Sequence, residues 1–132
     1  MTPRRLLALD AVGALFTAIL LGLVLVRFSA AFGVSERTFH FLAGFAAAIC
    51  IHSLALALLD PPEWVARVKA MAVINLAYAG VVLDVVVTRL GAITLLGAAY
   101  FVGEALVIGA IAAYEWRFAT RTPAPDPGPG SP

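Results

Sequence analysis

Charge is scarce in this chain. Asp, Glu, Lys and Arg make up 13% of its 132 residues, while 62% are hydrophobic. Soluble domains carry about 25% charged and about 45–50% apolar residues, so a water-soluble fold would leave apolar surface here with nowhere to hide. Cys50 is the single cysteine, which excludes an intramolecular disulfide and leaves the redox compartment unread. A formal net charge of +1 and the lack of any basic stripe exclude nucleic acid as a partner. No glycine-rich phosphate loop occurs, because the glycines lie in apolar runs, their connecting turns or the C-terminal tail. His40 and His52 sit too far apart along one helix to share a metal, and Cys50 is rotated about 200° from His52. Serine, cysteine and histidine show no spacing diagnostic of a nucleophile. Neither a metal nor a cofactor is expected.

What the chain has in abundance is long apolar runs, at about Leu6–Val26, Phe39–Leu59, Met71–Val87 and Ile93–Ala113. Each is about 17–21 residues long, and a hydrocarbon core of about 30 Å takes about 20 helical residues to cross. In a helix every backbone N–H and C=O in lipid is satisfied within its own segment. The expected fold is therefore all-α: a transmembrane four-helix bundle over residues 1–121, with antiparallel neighbouring helices. Residues 122–132 are rich in Pro and Gly and are expected to be disordered.

The first run is too long for a signal-peptide core, and Asp10 interrupts it, so it reads as a span rather than a cleaved leader. Arg4, Arg5, Arg67, Lys69, Arg117 and Arg121 fall on one side of the four spans, and Arg27, Arg37 and Arg89 on the other. The positive-inside bias places both termini in the cytoplasm. Trp64 and Trp116 fit interfacial anchors on that side. The stretch Asp60-Pro61-Pro62-Glu63 is a sharp stop and restart, because proline ends one helix and opens the next. Thr88-Arg89-Leu90-Gly91 is short enough to force a tight turn.

Helices in lipid associate through close backbone approach and polar contacts rather than through apolar side chains. Small residues recur at helical spacing: Ala14, Ala18 and Gly22; Gly44 and Ala48; Ala72 and Ala79; Gly97, Gly103 and Gly109. Polar residues share these ladders. At about 1.5 Å per residue, Asp10 lies about 6 Å from the cytoplasmic end of its span, His52 about 10 Å, Asn75 about 6–12 Å and Glu104 about 13 Å. Each helix thus sends one polar residue to the inner half of the membrane. Tyr100 stands one turn above Glu104 on the same face, and Glu115 about three turns below it. A carboxyl at mid-helix costs about 2.5–3.5 kcal/mol when unpaired, so Glu104 is expected to face the bundle near His52 or Asn75. At the outer rim Asp84 is expected to pair with Arg27 or Arg89, among groups close enough to the interface to snorkel.

Three uses fit the inner cluster Asp10, His52, Asn75, Tyr100 and Glu104, apart from a purely structural clamp between helices. The preferred one is a non-enzymatic accessory or binding protein whose pocket holds a lipid-like or small amphipathic ligand. The second is a membrane-embedded enzyme acting on a lipid or isoprenoid, with Glu104 and His52 as acid and base. The third is a small proton-coupled carrier. Expected partners are the lipid bilayer, a lipid-like ligand, and a second copy or another membrane protein.

The last run carries Gly103-Glu104, and Glu115-Trp116 follows just beyond it. In this it resembles small bacterial four-span membrane proteins whose last helix reads Gly-Glu followed by Glu-Trp. The resemblance covers the four spans and implies a multi-pass protein of the bacterial inner membrane, with no activity attached. Small multidrug-resistance transporters also place four helices in a short chain. Their pattern puts a Glu inside the first helix, where this chain has Asp10 near the end.

Overall fold

Thr2 starts the first helix: its side chain accepts from Arg5 N–H at 3.3 Å, with Pro3 in the first turn, where a missing N–H costs nothing. The computed structural model describes residues 1–59 and 61–121. Asp60 and the tail 122–132, with the disorder expected of it, lie outside the described residues. Among the described residues the fold is all-helical, with α1 over Pro3–Ile19, α2 over Ser29–Phe32, α3 over Glu36–Leu59, α4 over Trp64–Thr88 and α5 over Leu95–Arg121. A π-helical turn, Leu20–Val24, and a 3-10 turn, Leu25–Phe28, join α1 to α2, so that Pro3–Phe32 forms one continuous span. This span, α3, α4 and α5 are each long and apolar enough to cross a membrane.

The helices outrun the apolar runs. α4 begins at Trp64, ahead of Met71, and α5 continues to Arg121, beyond Ala113. The added turns carry Lys69 and Trp116, whose ammonium lies 5.5 Å from the indole ring, and Trp64 and Phe118, whose ring centroids are 5.9 Å apart. Long cationic side chains and amphipathic rings belong at the water boundary, so helix and hydrocarbon need not end together.

Two helix pairs make up the bundle. α1 packs mainly on α3, and α4 mainly on α5, while α3 meets α4 more lightly. The buried positions of α3 follow Phe39, Leu42, Ala46, Ile49, Ser53 and Leu56, and those of α4 follow Val68, Met71, Asn75, Tyr78, Val82 and Val85. Both alternate steps of three and four, the spacing of helices that cross at a shallow angle. Outside this seam the surface is apolar: Phe16, Ile51, Leu96 and Leu106 are all exposed, as hydrocarbon contact requires.

Glycine is needed at two close approaches. Gly33 ends α2 with φ 67°, a left-handed cap that other residues adopt at a cost. Gly97 lies against the Phe32 carbonyl, where a Cβ would collide. Thr94 completes this junction: its N–H donates to Phe32 O at 3.2 Å and its hydroxyl to Ala31 O at 2.7 Å. Of the small-residue ladders, Gly22 also makes a close approach, since a Cβ there would stand 3.1 Å from Ala43 Cβ. Gly44, Gly103 and Gly109 border open space instead.

Candidate functional site

Four buried polar side chains, one from each span, meet toward the end of the bundle where α1 begins and α5 ends. Asp10 is 8% exposed, Asn75 4%, and Ser53 and Glu115 are fully enclosed. Asn75 is the hub. Its Nδ2 donates to Asp10 Oδ1 at 2.8 Å and to Glu115 Oε2 at 3.1 Å, which uses both amide hydrogens. Ser53 donates to the other oxygen of Asp10, and its Oγ also lies 3.7 Å from Met71 Sδ. Glu115 Oε1 is buried and has no hydrogen-bond partner among the described residues.

Further along α5 a second polar layer forms around Glu104, which is half-buried. The Tyr78 hydroxyl lies 3.4 Å from Glu104 Oε1 and 3.4 Å from Leu42 O, so one hydrogen serves two acceptors. Tyr78 is 2% exposed and stacks on Phe45, with centroids 5.2 Å apart. Tyr100 packs edge-on against Phe32 and lines the same cavity as Glu104. Glu104 Oε2, like Glu115 Oε1, is buried with no hydrogen-bond partner among the described residues.

The expected single cluster is thus two layers. Asp10 and Asn75 come together in one, Tyr100 and Glu104 in the other. Glu104 reaches Tyr78 rather than His52 or Asn75. His52 is exposed and joins neither layer. The reason is rotational: the buried stripe of α3 runs through Ile49, Ser53 and Leu56, and one residue turns a side chain by about 100°. Ser53 therefore takes the inward position that His52 was expected to hold. Sequence reasoning also missed Tyr78, three residues after Asn75 on the same stripe, and the role of Glu115, although its face was legible.

The outer rim differs from expectation as well. Asp84 and Arg27 are exposed, and Asp84 forms no ion pair with Arg27 or Arg89 among the described residues. Arg89 Nη2 instead donates to Thr38 Oγ1 at 3.3 Å, a partner provided by the start of α3. No group of three or more His, Cys, Asp or Glu side chains able to hold a metal occurs among the described residues.

A cavity of about 980 Å³ separates α1 from α5. One wall is α1, including Asp10, Gly13 and Phe16; the facing wall is α5, including Tyr100, Gly103, Glu104, Val107, Ile111 and Glu115. Ala46 and Ile49 of α3 and Asn75 and Tyr78 of α4 form its floor. A Cβ added at Gly13 or Gly103 would touch nothing, so these glycines widen the space instead of bringing helices together. Both carboxylates with an unpartnered oxygen line this one cavity.

Length, apolarity and the exposed apolar faces of four helices mark the chain as a multi-pass membrane protein. No protein-family model, curated protein or solved structure matches it.

Proposed function

We propose that this is a non-enzymatic binding or accessory protein of the bacterial inner membrane, whose cleft between α1 and α5 holds a lipid-like or small amphipathic molecule. Its four spans run antiparallel to their neighbours with both termini in the cytoplasm, as the Lys and Arg asymmetry directs. The observation that carries the reading is the cavity: about 980 Å³, apolar along most of its walls, with a few convergent polar groups. Apolar walls with sparse, fixed polar groups are the usual build of a small-molecule site. Among the described residues Glu104 and Glu115 each keep one buried oxygen without a hydrogen bond, which a bound molecule with a donor would satisfy. The enzymatic alternative needs a base beside Glu104, and the exposed His52 supplies none.

Purification in a mild detergent followed by mass spectrometry of co-extracted molecules tests the reading. A defined amphiphile should accompany the wild-type protein and be missing from Gly103→Leu, which fills the cleft where a side chain meets no neighbour. Equal recovery from both would defeat it. Reporter fusions after Arg121 and in the loop before Trp64 should both read cytoplasm; a periplasmic C-terminal reporter would overturn the orientation.

A further inference from the structure

The cleft is lined by three carboxyl-bearing residues, Asp10, Glu104 and Glu115, and by no lysine, arginine or histidine; Met1, which bears the α-ammonium, also lines it. Asp10 and Glu115 are joined through the two hydrogens of one amide, with no ion-pair partner among the described residues. Asn75 supplies hydrogen bonds but no charge. Buried acidic groups in lipid are held in place by a partner that offers hydrogen atoms and, for an ionised group, opposite charge. Among the described residues nothing provides either to Glu115 Oε1, a buried atom of a residue lining the cleft.

We infer that the ligand is an amphipathic amine whose ammonium group sits at Glu115 and Asp10 and whose apolar chain runs along the cleft toward Tyr78. This rests on the ligand-binding reading above and adds the chemistry of the head. A primary ammonium has three donors and no acceptor. Once the Glu115 side chain turns toward the cleft, the ammonium can serve Oε1 and still reach Asp10, whose carboxylate oxygens have lone pairs beyond the bonds from Ser53 and Asn75. A quaternary ammonium has no hydrogen to give. A phosphate-bearing amine lipid brings an anion beside acidic residues in a cleft without a basic side chain, a like-charge contact that selects against it. Gly13 and Gly103 leave the middle of the cleft open on opposite walls, where an alkyl chain would pass.

The test uses the full-length protein in detergent and reads the shift in thermal unfolding temperature, which a ligand of the folded state raises. Dodecylamine is compared with dodecyltrimethylammonium, dodecanol and lyso-phosphatidylethanolamine at matched concentration. The inference expects a concentration-dependent rise with dodecylamine alone, absent from Gly103→Leu and weakened about ten- to a hundredfold in Glu115→Gln, the loss of one charge-assisted hydrogen bond. Because Glu115 also accepts from Asn75, Glu115→Gln can perturb folding; the headgroup series on unaltered protein then decides by itself. Equal stabilisation by dodecyltrimethylammonium or dodecanol would overturn the ammonium assignment. Preference for lyso-phosphatidylethanolamine would replace it with a phospholipid head. If a different amphiphile co-purifies and Gly103→Leu excludes it while no amine binds, the cleft reading survives and the amine fails.

Discussion

Asp10 and Asn75 are 65 residues apart in the chain and 2.8 Å apart in space, carboxylate to amide. The contact joins the first helix pair to the second, between which α3 and α4 touch only lightly. Asn75 also holds Glu115, so one side chain links α1, α4 and α5. Loss of that amide reaches across the bundle.

Asn75→Leu should therefore lower unfolding free energy in bicelles by about 1–3 kcal/mol, the cost of stranding buried polar groups, here two carboxylates at once. Asn75→Asp should be worse, since it exchanges the shared donor for a third acid. Wild-type stability in either variant would mean that the amide bridge does not form in lipid.

His52→Leu should change stability by no more than about 0.5 kcal/mol, as expected for a side chain outside the packed seam. Its neighbour behaves differently. Ser53→Ala removes the donor to one Asp10 oxygen and should cost about 0.6–1.7 kcal/mol, the range of interhelical polar contacts in membranes. The reverse ranking in a denaturation series would place His52 inward after all.

Two glycines on α5 should answer oppositely to alanine. Gly97→Ala forces a Cβ into the Phe32 carbonyl and should destabilise by about 1–3 kcal/mol through overpacking. Gly103→Ala meets nothing and should stabilise by up to about 1 kcal/mol through helix propensity. Comparable destabilisation by both would show the cleft to be closed at Gly103.

At the rim, Asp84→Asn and Arg27→Gln should be silent within about 0.5 kcal/mol in the same assay, because both are exposed and neither forms an ion pair among the described residues. Arg89→Gln should have a small measurable effect, since Arg89 reaches Thr38 at the start of α3. A coupling between Asp84 and Arg89 in a double-mutant cycle would restore the ion pair that the geometry lacks.

The four spans were legible because a bilayer imposes a length on apolar runs that few other folds share. Asp10, Asn75 and Glu104 were legible because polar groups at membrane depth are costly enough to need a reason. Which way a helix turns was harder to read. In α3 the polar pair His52 and Ser53 differ by one residue, and the more basic, larger side chain attracted the assignment. The three-four spacing through Phe39, Leu42, Ala46 and Ile49 selects Ser53 instead. Glu104 and Glu115 lie eleven residues apart, almost in line on one face, yet nothing in the sequence says that α1 stands off from that face to leave a cleft. Separation between helix pairs is a property of the whole packing and leaves no mark on any single segment.

The junction of Phe32, Thr94 and Gly97 fastens the end of the first span to the start of α5. Hydrogen bonds and close backbone contact make that end a fixed seam, while Asp10, Gly13 and Phe16 of α1 face α5 across empty space further from it. The two spans are thus closed at both ends, by this seam and by the Asp10–Asn75–Glu115 bridge, and stand apart only between them, like the sides of a buckle.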